Sequence, residues 1–336
     1  MSITLETYED RPEAWTGLQL LAGSLKLWGV GIRLRVWGIT PADAVHGWLS
    51  EQEHVMVEPT RPSRLRGWDV KPWVLQQALR SGQRRATWID SDIMATPRFK
   101  EIVSRLETDH LLSTEEARYA EEPQGSAPRT PHLGLVLTRT LPRTINTSVL
   151  SVSAVHWELL EAWQQVMQAS DYQRAQALPF AERPWGLRGD QDVLTGLLGA
   201  EPFDTLPLRL LRDGRDIAHC KHTLGFSSVA RLHALVRGLP PLVHAQGEKP
   251  WIPGVSLSTQ LSPYAALAAR VLEETVDGQV SEWSRPHRGL GLFLHMVFLG
   301  HPVARGLPLT VAREFQFSLR RVYSALTGNT VMRSIK

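Results

Sequence analysis

Two aspartates one residue apart, Asp90 and Asp92, close the segment Arg85-Ala-Thr-Trp-Ile-Asp-Ser-Asp-Ile-Met94. The residues ahead of them, Ala86-Thr-Trp-Ile89, read as a short buried strand. Carboxylates at a strand end can hold a divalent cation, and a cation there can hold a diphosphate. The plain alternative is a strand-to-helix turn in which one aspartate caps the next helix. The triplet alone decides nothing, because with aspartate at roughly one residue in twenty a chain of this length shows about one by chance. Other segments must supply the rest of the chemistry.

Leu242-Val-His244-Ala-Gln-Gly247-Glu-Lys249-Pro250-Trp251 could supply it. A short apolar strand ends at His244. Gly247 lets a backbone approach a ligand closely. Lys249 is a point charge suited to phosphate. The same residues would also fit a loop with a satisfied histidine and a solvated lysine. Asp190-Gln191-Asp192 precedes Val193, Leu194, Leu197 and Leu198. It places acid and amide groups at a helix start, where capping and compensation of the helix dipole are the competing role. Tyr8 follows a first strand, so a nucleobase could stack on it and hydrogen-bond to the Thr7 backbone; a surface turn is the alternative.

The elements that position these residues follow from periodicity. Strands are expected over residues 2–7, 32–37, 54–57 and 86–89. Helices are expected over 13–28, 41–50 (Thr40 as cap, Pro41 at its first position) and 67–80. This β-α-β-α-β-α-β order predicts an α/β fold: a mainly parallel sheet flanked by helices, with the binding crevice at the strand ends. No G-x-G-x-x-G follows a strand and no G-x-x-x-x-G-K-[ST] is present, which argues against dinucleotide and P-loop folds. Residues 106–133 turn polar and end in an irregular loop, read as a lid, an acceptor-binding insert or a passive surface insert. Strands are expected over 134–141 and 144–152, and a helix over 156–168. Beyond 256 the chain becomes helical over 264–274 and 311–326, with an apolar stretch at 289–298.

The chain has 336 residues, 43% hydrophobic and 21% charged, ordinary for a globular protein. The net charge of +3 gives no nucleic-acid signature. Residues 281–336 hold eight Arg or Lys against two acids, so this tail carries +6 and the remainder −3. The tail could rest on an anionic lipid surface or acceptor, or be a helical cap with ordinary surface arginines. One cysteine, Cys220, excludes an intrachain disulfide. No signal peptide or spanning segment is evident, so the expected location is cytoplasmic, with peripheral contact at the inner face of the membrane through the tail.

Taken together, the motifs resemble nucleotide-sugar glycosyltransferases of the GT-A (Rossmann-like) fold, in particular glycosyltransferase family 8, the glycogenin and lipopolysaccharide galactosyltransferase group. The resemblance rests on Asp90-Ser-Asp92, Asn146-Thr-Ser-Val149, Asp190-Gln-Asp-Val-Leu-Thr195 and His244-Ala-Gln-Gly-Glu-Lys-Pro-Trp251, in that order. It covers roughly residues 1–255 as a catalytic domain and leaves 256–336 as a helical, basic extension. The departures are Ser148 for a glycine, Thr195 for an asparagine, and a His-to-Lys spacing one residue short. The resemblance implies a hexosyltransferase with a UDP-linked donor and retention of configuration. It implies Asp90, Asp92 and His244 on a metal, Mn²⁺ or Mg²⁺. It implies Lys249 and Gly247 on the diphosphate, Asp190 and Asn146 on the donor sugar, and Gln191 near the anomeric carbon. Saccharide, lipid-linked, natural-product and protein acceptors are all open. The alternative is a non-catalytic GT-A protein for nucleotide-sugar binding or assembly. A nucleotidyltransferase fits less well, because no glycine-rich loop follows the first strand.

Overall fold

Apolar strands and amphipathic helices alternate along the first half of the chain. In order they are β1 (Ile3–Tyr8), α1 (Trp15–Trp28), β2 (Ile32–Trp37), α2 (His46–Ser50), β3 (Val55–Glu58), α3 (Lys71–Arg80), β4 (Arg85–Ile89), β5 (Ile93–Ala95), α4 (Lys100–Leu106) and β6 (Leu111–Glu115). There follow β7 (Ile145–Ser153), α5 (Trp157–Gln168), α6 (Ser170–Gln176), α7 (Asp190–Leu197), β8 (Leu208–Leu211), β9 (Ile217–His219), α8 (Ser228–Arg237) and β10 (Leu242–His244). The last are α9 (Leu257–Gln260), α10 (Pro263–Thr275) and α11 (Leu307–Thr327). This computed structural model describes residues 3–63, 65–106, 110–117, 122–220, 226–260, 262–275 and 307–327.

Seven strands form one sheet in the order β3-β2-β1-β4-β7-β6-β8. Pairing is parallel except where β7 meets β4 and β6. One face packs on Leu18, Leu21 and Leu25 of α1 and Ile102 of α4. The other packs on Val74 of α3, Trp163 of α5 and Leu194 of α7. The sheet is thus mixed, mainly parallel and covered on both faces, as the sequence predicts. A second sheet, β5-β10-β9, grows from the segment just after Asp92.

Three expectations are corrected. The helix expected over 41–50 begins only at His46, because Asp43 Oδ2 accepts from both the N–H and the hydroxyl of Thr40 and holds the chain in a turn. The polar stretch 106–133 contains β6, a buried strand between β7 and β8. Residues 134–141 alternate in burial but have no sheet partner; Thr138 and Arg139 both donate N–H to the Gly199 carbonyl. Period-two patterning there marks an extended chain lying over a helix end.

Beyond residue 256, α10 buries Tyr264, Ala268 and Val271 in a cluster with Leu20 of α1 and Val243 of β10. α11 contacts α8, and Glu314 accepts the Ser228 N–H. Val311, Phe315, Leu319 and Val322 of α11 are exposed at helical spacing. The apolar stretch 289–298 and most of the basic tail lie outside the described residues. No described helix is long and apolar enough to cross a membrane.

Asp213, between β8 and β9, carries a measurable cost. Its Oδ1 is buried with no partner, and burial pushes the carboxyl up to about 7 against the opposing pull of the nearby His219 and Gly214 N–H groups. An acid whose folded-state pKa lies above its unfolded value loses stability as pH rises between the two, here from about 4 to about 7. Asp213→Asn is expected to stabilise the protein at pH 8 by on the order of 2 kcal/mol, with the gain fading toward pH 4. Urea melts at pH 8 and pH 5 check this; an equal difference at both would refute it.

Candidate active site

The carboxyl ends of β1, β4 and β6 and the amino end of β7 open on one cavity of about 490 Å³. Asp90 follows β4 and donates its backbone N–H to the Ser148 carbonyl of β7. Asp92 sits one residue before β5. Because β5 pairs with β10, Ile93 lies opposite His244, and Ala245 N–H donates to the Asp92 carbonyl at 3.0 Å. Strand pairing therefore brings the two motifs together across 150 residues of chain. Glu9, just past β1, anchors the turn: it accepts from Ser91 Oγ at 2.7 Å and from Arg11 at 2.8 and 2.9 Å. Gly17 of α1 completes the anchor, since a Cβ there would meet Trp251 at 2.9 Å and the Ser91 carbonyl at 3.0 Å.

Asp90, Asp92 and His244 each offer a ligand atom within 4.8 Å of the others. Asp92 Oδ1 is buried, lies 3.3 Å from His244 Nε2 and accepts no hydrogen bond. A buried carboxylate oxygen without a donor, facing an imidazole nitrogen, is satisfied by a cation, so the donor set fits a divalent ion. Lys249 supplies positive charge meanwhile: its ammonium bonds Asp92 Oδ2 and, at 2.7 Å, the Ala245 carbonyl. Burial would raise the Asp92 pKa, but the Lys249 ammonium works against it, and the carboxyl is held well below the usual range. Gly247 has φ +82°, a left-handed conformation that presents backbone rather than side chain to the cavity.

The second acidic motif meets the first through a buried lysine. Lys71, at the start of α3, lies 3.1 Å from Asp90 Oδ1, 3.1 Å from Asp190 Oδ2 and 3.0 Å from Thr147 Oγ1. Thr147 also donates to Asp190 Oδ2 at 2.6 Å. Asp192 is ion-paired with buried Arg129 at 2.7 Å; burial nevertheless pushes its carboxyl up to about 6. Arg129 belongs to the polar stretch after β6, so that stretch is tied to the motif it covers.

Glu116, at the end of β6, collects three side-chain amides. Its carboxylate accepts from Asn146 Nδ2 at 2.9 Å, Gln191 Nε2 at 2.8 Å and Gln246 Nε2 at 2.7 Å. The Gln191 nitrogen is thus committed, and its Oε1 is the free end of the amide. Tyr8 lines the cavity and donates its hydroxyl to Asp10 at 3.0 Å. Thr7 lies wholly buried within β1 and is not among the lining residues. Asp90, Asp92, Asn146, Asp190, Gln191, His244, Gly247 and Lys249 all line the cavity. Sequence reasoning missed Lys71, Glu116, Arg11 and Arg129. Lys71 acquires a signal only once α3 is seen to begin there: a cation in the first turn of a helix opposes the helix dipole and calls for anions nearby.

No protein-family model matches the chain, and no curated protein matches it. Solved structures do. The apo form of the glycosyltransferase GlyE from Streptococcus pneumoniae TIGR4 superposes with a TM-score of 0.51 at 12% identity, over 83% of this chain and 64% of that one. The galactosyltransferase LgtC, solved with donor and acceptor sugar analogs, gives 0.49 at 15% identity over 80% and 96%. A glycosyltransferase involved in glycosylation of the PBCV-1 major capsid gives 0.42 at 14% identity over 74% and 95%. The likeness to GlyE establishes the fold. The chain has the GT-A arrangement that its motifs predicted, and it spans 64% of the GlyE chain.

Proposed function

We propose that the protein is a metal-dependent glycosyltransferase moving a hexose from a UDP-linked donor to a hydroxyl acceptor with retention of configuration. The observation that carries this reading is the convergence of Asp90, Asp92 and His244 with Lys249 and Gly247 in one cavity. A divalent ion held by the two aspartates and His244, Mn²⁺ rather than Mg²⁺, would neutralise charge on the departing diphosphate. Lys249 shares that task, and the Gly247 backbone lies against the phosphates. Tyr8 stacks on the base, with Thr7 behind it in β1. Asp190 and Asn146 hold sugar hydroxyls. Gln191, its nitrogen bound to Glu116, turns the negative end of its amide toward the anomeric carbon, where positive charge develops.

Retention is favoured by what occupies the carboxylates. An inverting enzyme needs a carboxylate free to take the acceptor proton. Asp192 is paired with Arg129, and Asp190 has one oxygen between Lys71 and Thr147 and the other assigned to the donor sugar, so neither is left for the acceptor proton. The acceptor reaches the cavity in solution or at an anionic membrane surface, with α11 offering exposed apolar side chains to the latter.

A thermal-shift screen of UDP-, GDP-, dTDP- and CMP-sugars, each with and without Mn²⁺, tests the reading. A ligand at 100 times its Kd stabilises the native state by about 2.7 kcal/mol. UDP-sugar is expected to raise Tm only when Mn²⁺ is present. No shift with any donor would defeat the proposal, and a shift indifferent to Mn²⁺ would remove its metal.

A further inference from the structure

β9 and β10 run parallel, and His219 and His244 are direct partners in that ladder. Their rings meet edge to face with centroids 5.1 Å apart, and Nδ1 lies 2.9 Å from Nδ1. The other nitrogen of His219, Nε2, is 2.9 Å from the Glu115 carbonyl oxygen. His219 is completely buried. A carbonyl oxygen only accepts, so Nε2 of His219 carries a hydrogen. A neutral imidazole has one N–H, so Nδ1 of His219 is then an acceptor, and the hydrogen between the rings belongs to His244. The lone pair of His244 is left on Nε2, which faces Asp92 Oδ1 at 3.3 Å.

We propose that His219 is the positioning residue of the cation site, fixing His244 as the Nδ1–H tautomer so that Nε2 is free to ligate. The proposal rests on the metal reading of Asp90, Asp92 and His244. Metal-binding histidines depend on the partner of their second nitrogen for tautomer and ring orientation. Here that partner is a second histidine, held in turn by the backbone at the end of β6. Without His219, the Nδ1 of His244 would be buried and unpaired. The hydrogen would then gain by moving to Nε2, where Asp92 Oδ1 can accept it, and the ligand atom would be consumed. The end of β6 therefore orients two groups at once: His244 through the Glu115 carbonyl, and Gln191 through the Glu116 carboxylate.

The test titrates Mn²⁺ alone into the full-length chain by calorimetry. His219→Gln can donate to the Glu115 carbonyl and accept from His244, so its Mn²⁺ affinity should stay within about threefold of wild type. His219→Leu can do neither, and its affinity should fall about 10–100-fold. His244→Ala should bind no Mn²⁺. Wild-type affinity in His219→Leu, with binding lost in His244→Ala, would overturn the role of His219 and leave the metal site standing. A wild type that binds no Mn²⁺ would overturn the metal site itself. A second measurement needs no variant to fold with altered packing. Nitrogen-15 NMR of the histidine-labelled, metal-free wild type at pH 8 should show N–H at Nδ1 of His244 and at Nε2 of His219. The opposite tautomer on either ring would overturn the assignment.

Discussion

Asp92→Asn is expected to give a folded protein whose affinity for UDP-sugar no longer responds to Mn²⁺. The substitution keeps the shape of the side chain and the backbone bond from Ala245 to Asp92, so the turn between β4 and β5 should persist. What it removes is charge. Asp92 is the carboxylate on which both Lys249 and His244 converge, and the Lys249 ammonium holds it ionised against the cost of burial. An amide there offers one weaker oxygen and a nitrogen that competes for the His244 lone pair. Metal-assisted neutralisation of a leaving diphosphate contributes several kcal/mol, so turnover should fall by roughly 10³-fold, or about 4 kcal/mol. Calorimetry of UDP-sugar with and without Mn²⁺, beside turnover on the same preparations, measures both effects. A variant that keeps Mn²⁺-dependent donor affinity would remove Asp92 from the cation site.

What could be read from the chain divides by how local the signal is. Asp90-Ser-Asp92, Asp190-Gln-Asp192 and His244 to Trp251 are contiguous, and each carries residue types whose spacing has a chemical meaning. The β1–β4 half of the sheet was legible because strands and helices there alternate with clean periods. Glu116 was not legible. Its strand is five residues long, and its partners Asn146, Gln191 and Gln246 come from three distant segments. A carboxylate ending a short strand reads as loop until the register is known. His219 was hidden for the same reason, since β9 has three residues and its meaning comes only from lying beside β10. Two of the three departures from the expected motifs acquire physical roles. Ser148 joins a buried hydroxyl pair with Thr114 at 3.2 Å. Thr195 accepts the Ile145 N–H at 3.1 Å and donates to the Gln191 carbonyl at 2.7 Å, so it ties the start of β7 to α7.

Lys71→Met should have the largest effect on stability, and for a reason that also bears on the site. The ammonium is buried between Asp90 and Asp190, each at 3.1 Å, and lies 5.6 Å from the centroid of the Trp88 ring. Removing one partner of a buried ion network leaves uncompensated charge and costs about 3–5 kcal/mol. Here two carboxylates lose the cation between them, so the upper end of that range is expected at neutral pH. Burial works to lower the Lys71 pKa, but Asp190 and Asp90 outweigh it and raise it to about 12 from 10.5. A base with a raised folded-state pKa contributes fully below its unfolded value and loses that contribution as pH climbs through the folded one. The deficit of Lys71→Met should therefore be constant between about pH 6 and pH 9, unlike the pH-dependent gain from Asp213→Asn. Adding Asp190→Asn to Lys71→Met should recover part of the loss, with a coupling above about 1 kcal/mol in the double-mutant cycle. Additive losses would mean that Lys71 acts by packing alone. Coupled losses would mean that the lysine ties the two acidic motifs together by charge, holding Asp90 at the cation site and Asp190 beneath the donor sugar.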